Sequence, residues 1–183
     1  MAVREIRLYG DPVLLTVADE VTEFGPATRS LATDLLDTVQ IPGRAGVAAP
    51  QIGVPLRAFS YNVDERLGVV FNPLILDREG DQHGDEGCLS VPELWFPTRR
   101  SRYVAVIGFD ADGNEVRVAG EELMARCLEH EVDHLDGIVY LRRLEPSVRR
   151  EAMRAVRASE WFSRPAGSPP RPDAGAPAAR LVQ

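Results

Sequence analysis

Lysine is absent from this 183-residue chain, and all 21 basic residues are arginine. We read that absence as genomic base composition. It leaves every permanent positive charge on the side chain that binds carboxylate and phosphate in a planar, two-toothed way. Cysteine is scarce, with Cys88 and Cys127 alone, so a disulfide framework is excluded, and in a reducing cytoplasm both sulfurs stay free for a metal or the core. No apolar run approaches the ~20 residues of a membrane span. The charged start, Met1-Ala2-Val3-Arg4-Glu5-Ile6-Arg7, also lacks the apolar stretch of a signal peptide. A cytoplasmic protein is expected, with neither membrane nor DNA as a partner. Hydrophobic residues make up 44% of the chain, enough to bury one good core but hardly two.

What is present organises itself around that single core. Pro26 stands at a helix start, and Leu31, Leu35, Leu36 and Val39 recur at near-helical spacing before Pro42-Gly43 closes the segment. Residues 54–61 and 68–76 read as strands, while 103–109 and 115–118 flank Asp110-Ala111-Asp112-Gly113 as a hairpin, so the sheet is mostly antiparallel. Glu121 and Glu122 suit the positive end of a helix that carries Leu123, Cys127, His130 and His134 to a stop at Gly137. A last helix spans 145–161. Residues 1–163 are thus expected to form one folded unit, and 164–183, rich in Pro, Ala, Gly and Arg without hydrophobic period, read as a disordered tail.

Two of the three histidines fall in His130-Glu131-Val132-Asp133-His134. On a helix this spacing sets two imidazoles one turn apart on one face with a carboxylate beside them, a metal site with a built-in base. The bland alternative is an exposed helix with two solvated histidines. Two imidazoles under-ligate a metal, so the third ligand decides the class. The metzincin continuation needs a histidine where Tyr140 stands, and that class fails. Glu151 and Glu160 are acidic candidates on an arginine-rich helix. Cys88, in Glu86-Gly87-Cys88-Leu89-Ser90, is the remaining candidate, against a role as a buried small hydrophobe. Cys127, three residues before His130, belongs to core or pocket wall.

Three separated motifs together resemble the peptide deformylase family: Gly46-Val47-Ala48-Ala49-Pro50-Gln51, Glu86 to Ser90, and His130 to His134 with Leu135 and Gly137. The resemblance spans about residues 3 to 160. It implies an α+β fold of mostly antiparallel sheets around a central metal-binding H-E-x-x-H helix, followed by a C-terminal helix. It implies removal of the formyl group from N-formylmethionyl peptides, releasing formate. Cys88, His130 and His134 would bind one divalent metal, Fe(II) in the cell, with Zn, Ni or Co able to substitute. Glu131 would move the proton, and the Gln51 amide and the Leu89 N–H would steady the oxyanion. Gly46 would offer an edge for the substrate backbone, Gly87 close approach, and Val47, Leu89, Leu123 and Cys127 the walls of a methionine pocket. A metal-dependent deacylase of other N-acyl groups, or a zinc peptidase, is the competing activity.

The chain departs from the family pattern at three places. Arg44-Ala45 precedes Gly46 where the family opens with Gly-x, which would put a charge at the pocket rim. Glu129 replaces a glutamine, and a carboxylate there, if turned inward, would raise the pKa of water at the site. Trp95 and Phe96 stand where a basic residue is often found. Charge is uneven as well. From Leu141 onward nine arginines meet four acidic residues, a net +5 on a chain whose total is −7. Arg149, Arg150, Arg154 and Arg157 share one broad helical face, and in the family such a helix is associated with docking at the ribosome exit.

Overall fold

Pro26 opens α1 (Pro26–Val39) at the position where a missing N–H costs nothing, and the Thr28 hydroxyl accepts the Gly25 N–H at 2.9 Å. The computed structural model describes residues 3–163, so the tail expected at 164–183 lies outside the described residues. The predicted apolar stripe of α1 is largely buried, with Leu31, Leu35 and Val39 inside and Leu36 partly so.

That stripe packs on a five-stranded antiparallel sheet made of β1 (Gly46–Ala48), β2 (Ala58–Val63), β3 (Arg66–Glu79), β6 (Tyr103–Phe109) and β7 (Glu115–Glu121), in the order β1-β2-β3-β6-β7. Strand alternation sorts its side chains between two helices. Val47, Ala58 and Phe71 pack with α1, whereas Ala48, Phe59 and Val70 pack with Ala125, Leu128 and Leu135 of α2 (Glu122–Leu135) on the other side. Phe59, Phe71, Leu35 and Leu128 are fully buried, each worth roughly 1.5–3 kcal/mol relative to exposure.

The far side of α2 meets a second, two-stranded sheet, β4 (Gln82–Cys88) with β5 (Val91–Arg100). This ribbon is hidden in the sequence, because β4 is polar and carries Gly84 and Gly87, and β5 carries Pro92 and Pro97, both signals against a strand. The expected strand at 54–61 forms later, at 58–63, after Pro55 and the loop that binds the Arg57 N–H to Asp19. The 103–109 and 115–121 hairpin stands where it was expected. The last helix divides at Ser159, whose backbone is extended, into α3 (Pro146–Ala158) and α4 (Glu160–Ser163). In α3, Ala152 and Val156 face the core, and Arg149, Arg150, Arg154 and Arg157 are exposed on the rest of the surface. Among the described residues no helix is long and apolar enough to cross a membrane.

Gly137 ends the α2 segment with φ +68°, and a Cβ there would stand 3.0 Å from the backbone of Leu15 and Thr16. Gly137→Ala is therefore expected to lower the unfolding free energy by about 1–2 kcal/mol through left-handed strain, with crowding added. Denaturant melting measures it, and a change below about 0.5 kcal/mol would contradict this account.

Candidate metal centre

The helical spacing of His130 and His134 does what one turn of α2 requires. Their ring centroids lie 4.9 Å apart, and both side chains are buried. The third group arrives from β4. Cys88 Sγ lies 3.2 Å from His134 Nε2, and the three ligand atoms of Cys88, His130 and His134 fall within 4.8 Å of one another. No other such group of potential ligands occurs among the described residues. Glu151 and Glu160 are exposed on α3 and α4, and Cys127, which donates its thiol proton to the Ala45 carbonyl at 3.3 Å, is not one of the grouped ligands. Tyr140, in the metzincin position, stacks near His130 and donates its hydroxyl to the Leu94 carbonyl.

The donor set fits a divalent ion. Zinc-type bonds of about 2.3 Å to sulfur and 2.0 Å to nitrogen span a gap of this size, and a thiolate with two imidazoles suits Zn, Fe(II), Co(II) or Ni(II). His130 Nδ1 is engaged at 2.8 Å by Glu86, which leaves Nε2 for an ion. Burial and the neighbouring His130 hold the His134 imidazole well below its ordinary pKa, so it stays neutral and able to ligate. Burial also opposes a charged His130, yet Cys88 and Glu86 outweigh it and raise that imidazole.

Glu131 follows His130 on α2, and its buried carboxyl lies against Gly46 and interacts electrostatically with that imidazole. Its Oε2 is buried with no hydrogen-bond partner among the described residues, an orphan that suits a water or substrate proton. Burial pushes its carboxyl up to about 7, with Glu86 adding to the rise and His130 and Arg100 opposing it. Gly46 makes room, since a Cβ at that position would collide with the Glu131 carboxyl. Gln51 is fixed through its carbonyl oxygen, which accepts the Ala48 N–H at 2.8 Å, and this turns Nε2 toward Cys88 Sγ at 3.6 Å and Ser90 Oγ at 3.3 Å.

A buried ionic network stands behind the cluster. Arg100 donates to Glu86 at 2.6 and 2.9 Å and to Asp133 at 2.7 Å, Arg126 Nη1 reaches Glu86 at 2.8 Å, and Arg143 closes on Asp133. Burial alone would raise Glu86, but the hydrogen bonds from Arg100 and His130 prevail and hold it well below the carboxylate range. Sequence reasoning gave none of these arginines a role. The signal available was Asp133 inside the histidine motif and Glu86 two residues before Cys88, but their partner Arg100 could not be paired with them at separations of 33 and 14 residues.

The departures from the motif pattern resolve geometrically. Glu129 is buried but engaged elsewhere, accepting from Arg78 at 2.9 Å and from Ser101 N at 2.8 Å, and it is not among the grouped ligands. Arg44 folds back to donate to the Thr38 carbonyl near the end of α1. The Trp95 indole lies over Gly87, where a Cβ would strike it, and the ring remains 45% exposed. Val47 turns its side chain into the α1 core, fully buried, so only its main chain faces the Gly46 edge. Leu89 also packs on that cluster, and Leu123 and Cys127 belong to the α2 side.

Comparison with known proteins converges on one family. The family model described as polypeptide deformylase matches residues 3–150. A peptide deformylase of Acidothermus cellulolyticus is 50% identical over 161 residues, covering 88% of this chain and 89% of that protein. Peptide deformylase 1 of Corynebacterium glutamicum is 44% identical, covering 90% and 100%. The crystal structure of peptide deformylase from Thermus thermophilus superimposes with a TM-score of 0.80 at 42% identity, covering 85% of this chain and 94% of that one. A chain that matches over this length, with its cysteine and two histidines gathered beside a buried glutamate, belongs to the peptide deformylase family of metal-dependent hydrolases, which remove the N-terminal formyl group from nascent peptides.

Proposed function

We propose that the Cys88–His130–His134 cluster is where this chain hydrolyses the formyl amide, with Glu131 as the group that moves the proton. The observation that carries this reading is the orphaned Glu131 Oε2 on the helix that supplies two of three converging ligand atoms. Cys88 Sγ and the Nε2 atoms of both histidines would hold one divalent ion, Fe(II) in the cell. When bound, that ion supplies a Lewis acid that eases deprotonation of water and polarises the formyl oxygen. Glu131 accepts the proton of the attacking water, and a carboxyl pushed up to about 7 is suited to give it back to the leaving amine. Charge building on the formyl oxygen is met by Gln51 Nε2 and the Leu89 N–H, each such donor worth roughly 3 kcal/mol.

The substrate main chain pairs along the Gly46 edge of β1, and main-chain bonds of this kind ignore sequence, as an enzyme acting on many nascent chains requires. Gly87 leaves room for the Trp95 indole beside Cys88, and Leu123 and Cys127 flank the first side chain. Glu86, held by Arg100 and Arg126, orients His130 through Nδ1. We place this activity in the cytoplasm, in one catalytic unit over residues 1–163. The exposed arginines of α3 favour a contact with ribosomal RNA phosphates.

The direct test is formate release from a formyl-Met peptide, with metal analysis of the same anaerobic sample. Iron should accompany the highest activity, and air should lower it, since a ferrous ion and its thiolate are both oxidisable. A zinc form equally active under anaerobic conditions and indifferent to air would overturn the iron assignment. Glu131→Gln should retain the metal and lose at least ~90% of turnover, because an amide can hydrogen-bond the water but cannot take its proton. A variant above a tenth of wild-type activity would remove Glu131 from the proton-moving role. Reversing Arg149, Arg150, Arg154 and Arg157 to glutamate should abolish salt-sensitive ribosome cosedimentation while hydrolysis of a short peptide stays unchanged. Undiminished binding would leave α3 as a solvated cap.

A further inference from the structure

A cavity of about 400 Å³ opens between the first turns of α2 and strand β4, lined by His83, Gly84, Arg102, Glu122, Leu123 and Arg126 among others. Only Leu123 among these is apolar, although pockets for small apolar groups are mostly lined by hydrophobic side chains. Arg126 lies one helical turn before His130 and so shares its face of α2. Glu86 joins the two, accepting Arg126 Nη1 at 2.8 Å on one oxygen and bonding His130 Nδ1 at 2.8 Å through the other. The cavity therefore begins one carboxylate away from a metal-ligating imidazole. In a formyl peptide the first side chain stands two bonds from the amide nitrogen that leaves, and Leu123, expected as a wall of the methionine pocket, lines this cavity.

Arg126 is 7% exposed, and its Nη1 is also bound to the Thr98 carbonyl at 3.2 Å. Its Nη2 makes no hydrogen bond among the described residues. It lies 3.4 Å from where a Cβ of residue 84 would be, in room left by Gly84, which lines the same cavity. A guanidinium already taken out of bulk water thus keeps N–H groups to spare at the cavity wall. A thioether is a weak acceptor for such a donor, whereas a sulfoxide or amide oxygen is a strong one.

We propose that this chain also deformylates N-formyl peptides whose first side chain ends in a hydrogen-bond acceptor, oxidised methionine (the sulfoxide) and glutamine above all, with Arg126 as the specificity-determining residue. The inference rests on the preceding reading that the formyl group is cleaved at the Cys88–His130–His134 cluster. The reaction balances as simple hydrolysis. The water oxygen bonds to the formyl carbon, the carbon–nitrogen bond breaks, formate departs and the amine takes the proton, while the sulfoxide is neither oxidised nor reduced. An apolar pocket would reject such an added polar atom by about 100-fold, and a charge-assisted hydrogen bond recovers about 10- to 100-fold.

The experiment compares kcat/KM of the metal-loaded protein on four tripeptides that differ only in the first residue: formyl-methionine, formyl-norleucine, formyl-methionine sulfoxide and formyl-glutamine. The wild type should process the sulfoxide and glutamine peptides within about tenfold of norleucine. Arg126→Met, which keeps length and loses the donor, should reduce those two by a further ~10-fold or more relative to norleucine, mainly through KM. A wild type that hydrolyses formyl-methionine yet rejects both acceptor-bearing peptides by more than about 100-fold overturns the proposal, as does a variant whose ratios do not move. The wild-type series decides the matter even if Arg126→Met does not fold. Absence of formyl-methionine turnover would overturn the underlying reading and this one together.

Discussion

The pair of hydrogen bonds from Arg100 to Glu86, with the third from Arg100 to Asp133, is the contact on which the centre depends, because it ties the β4–β5 ribbon to α2. Without that tie the cysteine on β4 and the histidines on α2 belong to separate elements. Taking two carboxylates and a guanidinium out of water carries a desolvation penalty of several kcal/mol per ion, and Coulomb attraction offsets it only when geometry is close and every lone pair is used. Here the geometry is close, and Arg126, Arg143 and His130 take up the remaining acceptor positions. Such a network contributes less to net stability than to specifying one arrangement, since a partner removed leaves a bare buried charge. We hold that it is retained for the placement of Cys88 against His134 and for the orientation of His130.

Crowding does the complementary work on the other side of α2. Strand β1 approaches the helix so closely at Gly46 that no side chain fits between them, and the Glu131 carboxyl is pressed into the space left. The same closeness excludes water from Glu131, which is why its carboxyl sits near neutrality. A backbone edge, a buried carboxyl and a ligand cluster are thereby brought together by the packing of three elements. None of them relies on a flexible loop.

The polarity of the cavity beyond Arg126 follows from the same network. Arg126 is recruited to satisfy Glu86, and once there its remaining N–H groups become part of the neighbouring wall. A side chain retained to support a metal ligand can in this way set the chemistry of the pocket for the substrate.

What the sequence by itself determined is the chemistry with local periodicity: the two histidines and Glu131 on one helical face, the amphipathic α1, and the 103–121 hairpin, all governed by residues three, four or two positions apart. The motif Glu86 to Ser90 was legible as a candidate ligand stretch but not as a strand, because glycines, charges and the prolines of β5 mask the alternation. Where the Cys127 thiol is engaged, which way Glu129 and Val47 face, and which arginines stand behind His130 were decided only by tertiary structure. Those choices depend on contacts across 14 to 82 residues of chain, where burial and hydrogen-bond geometry, not local propensity, select the partner.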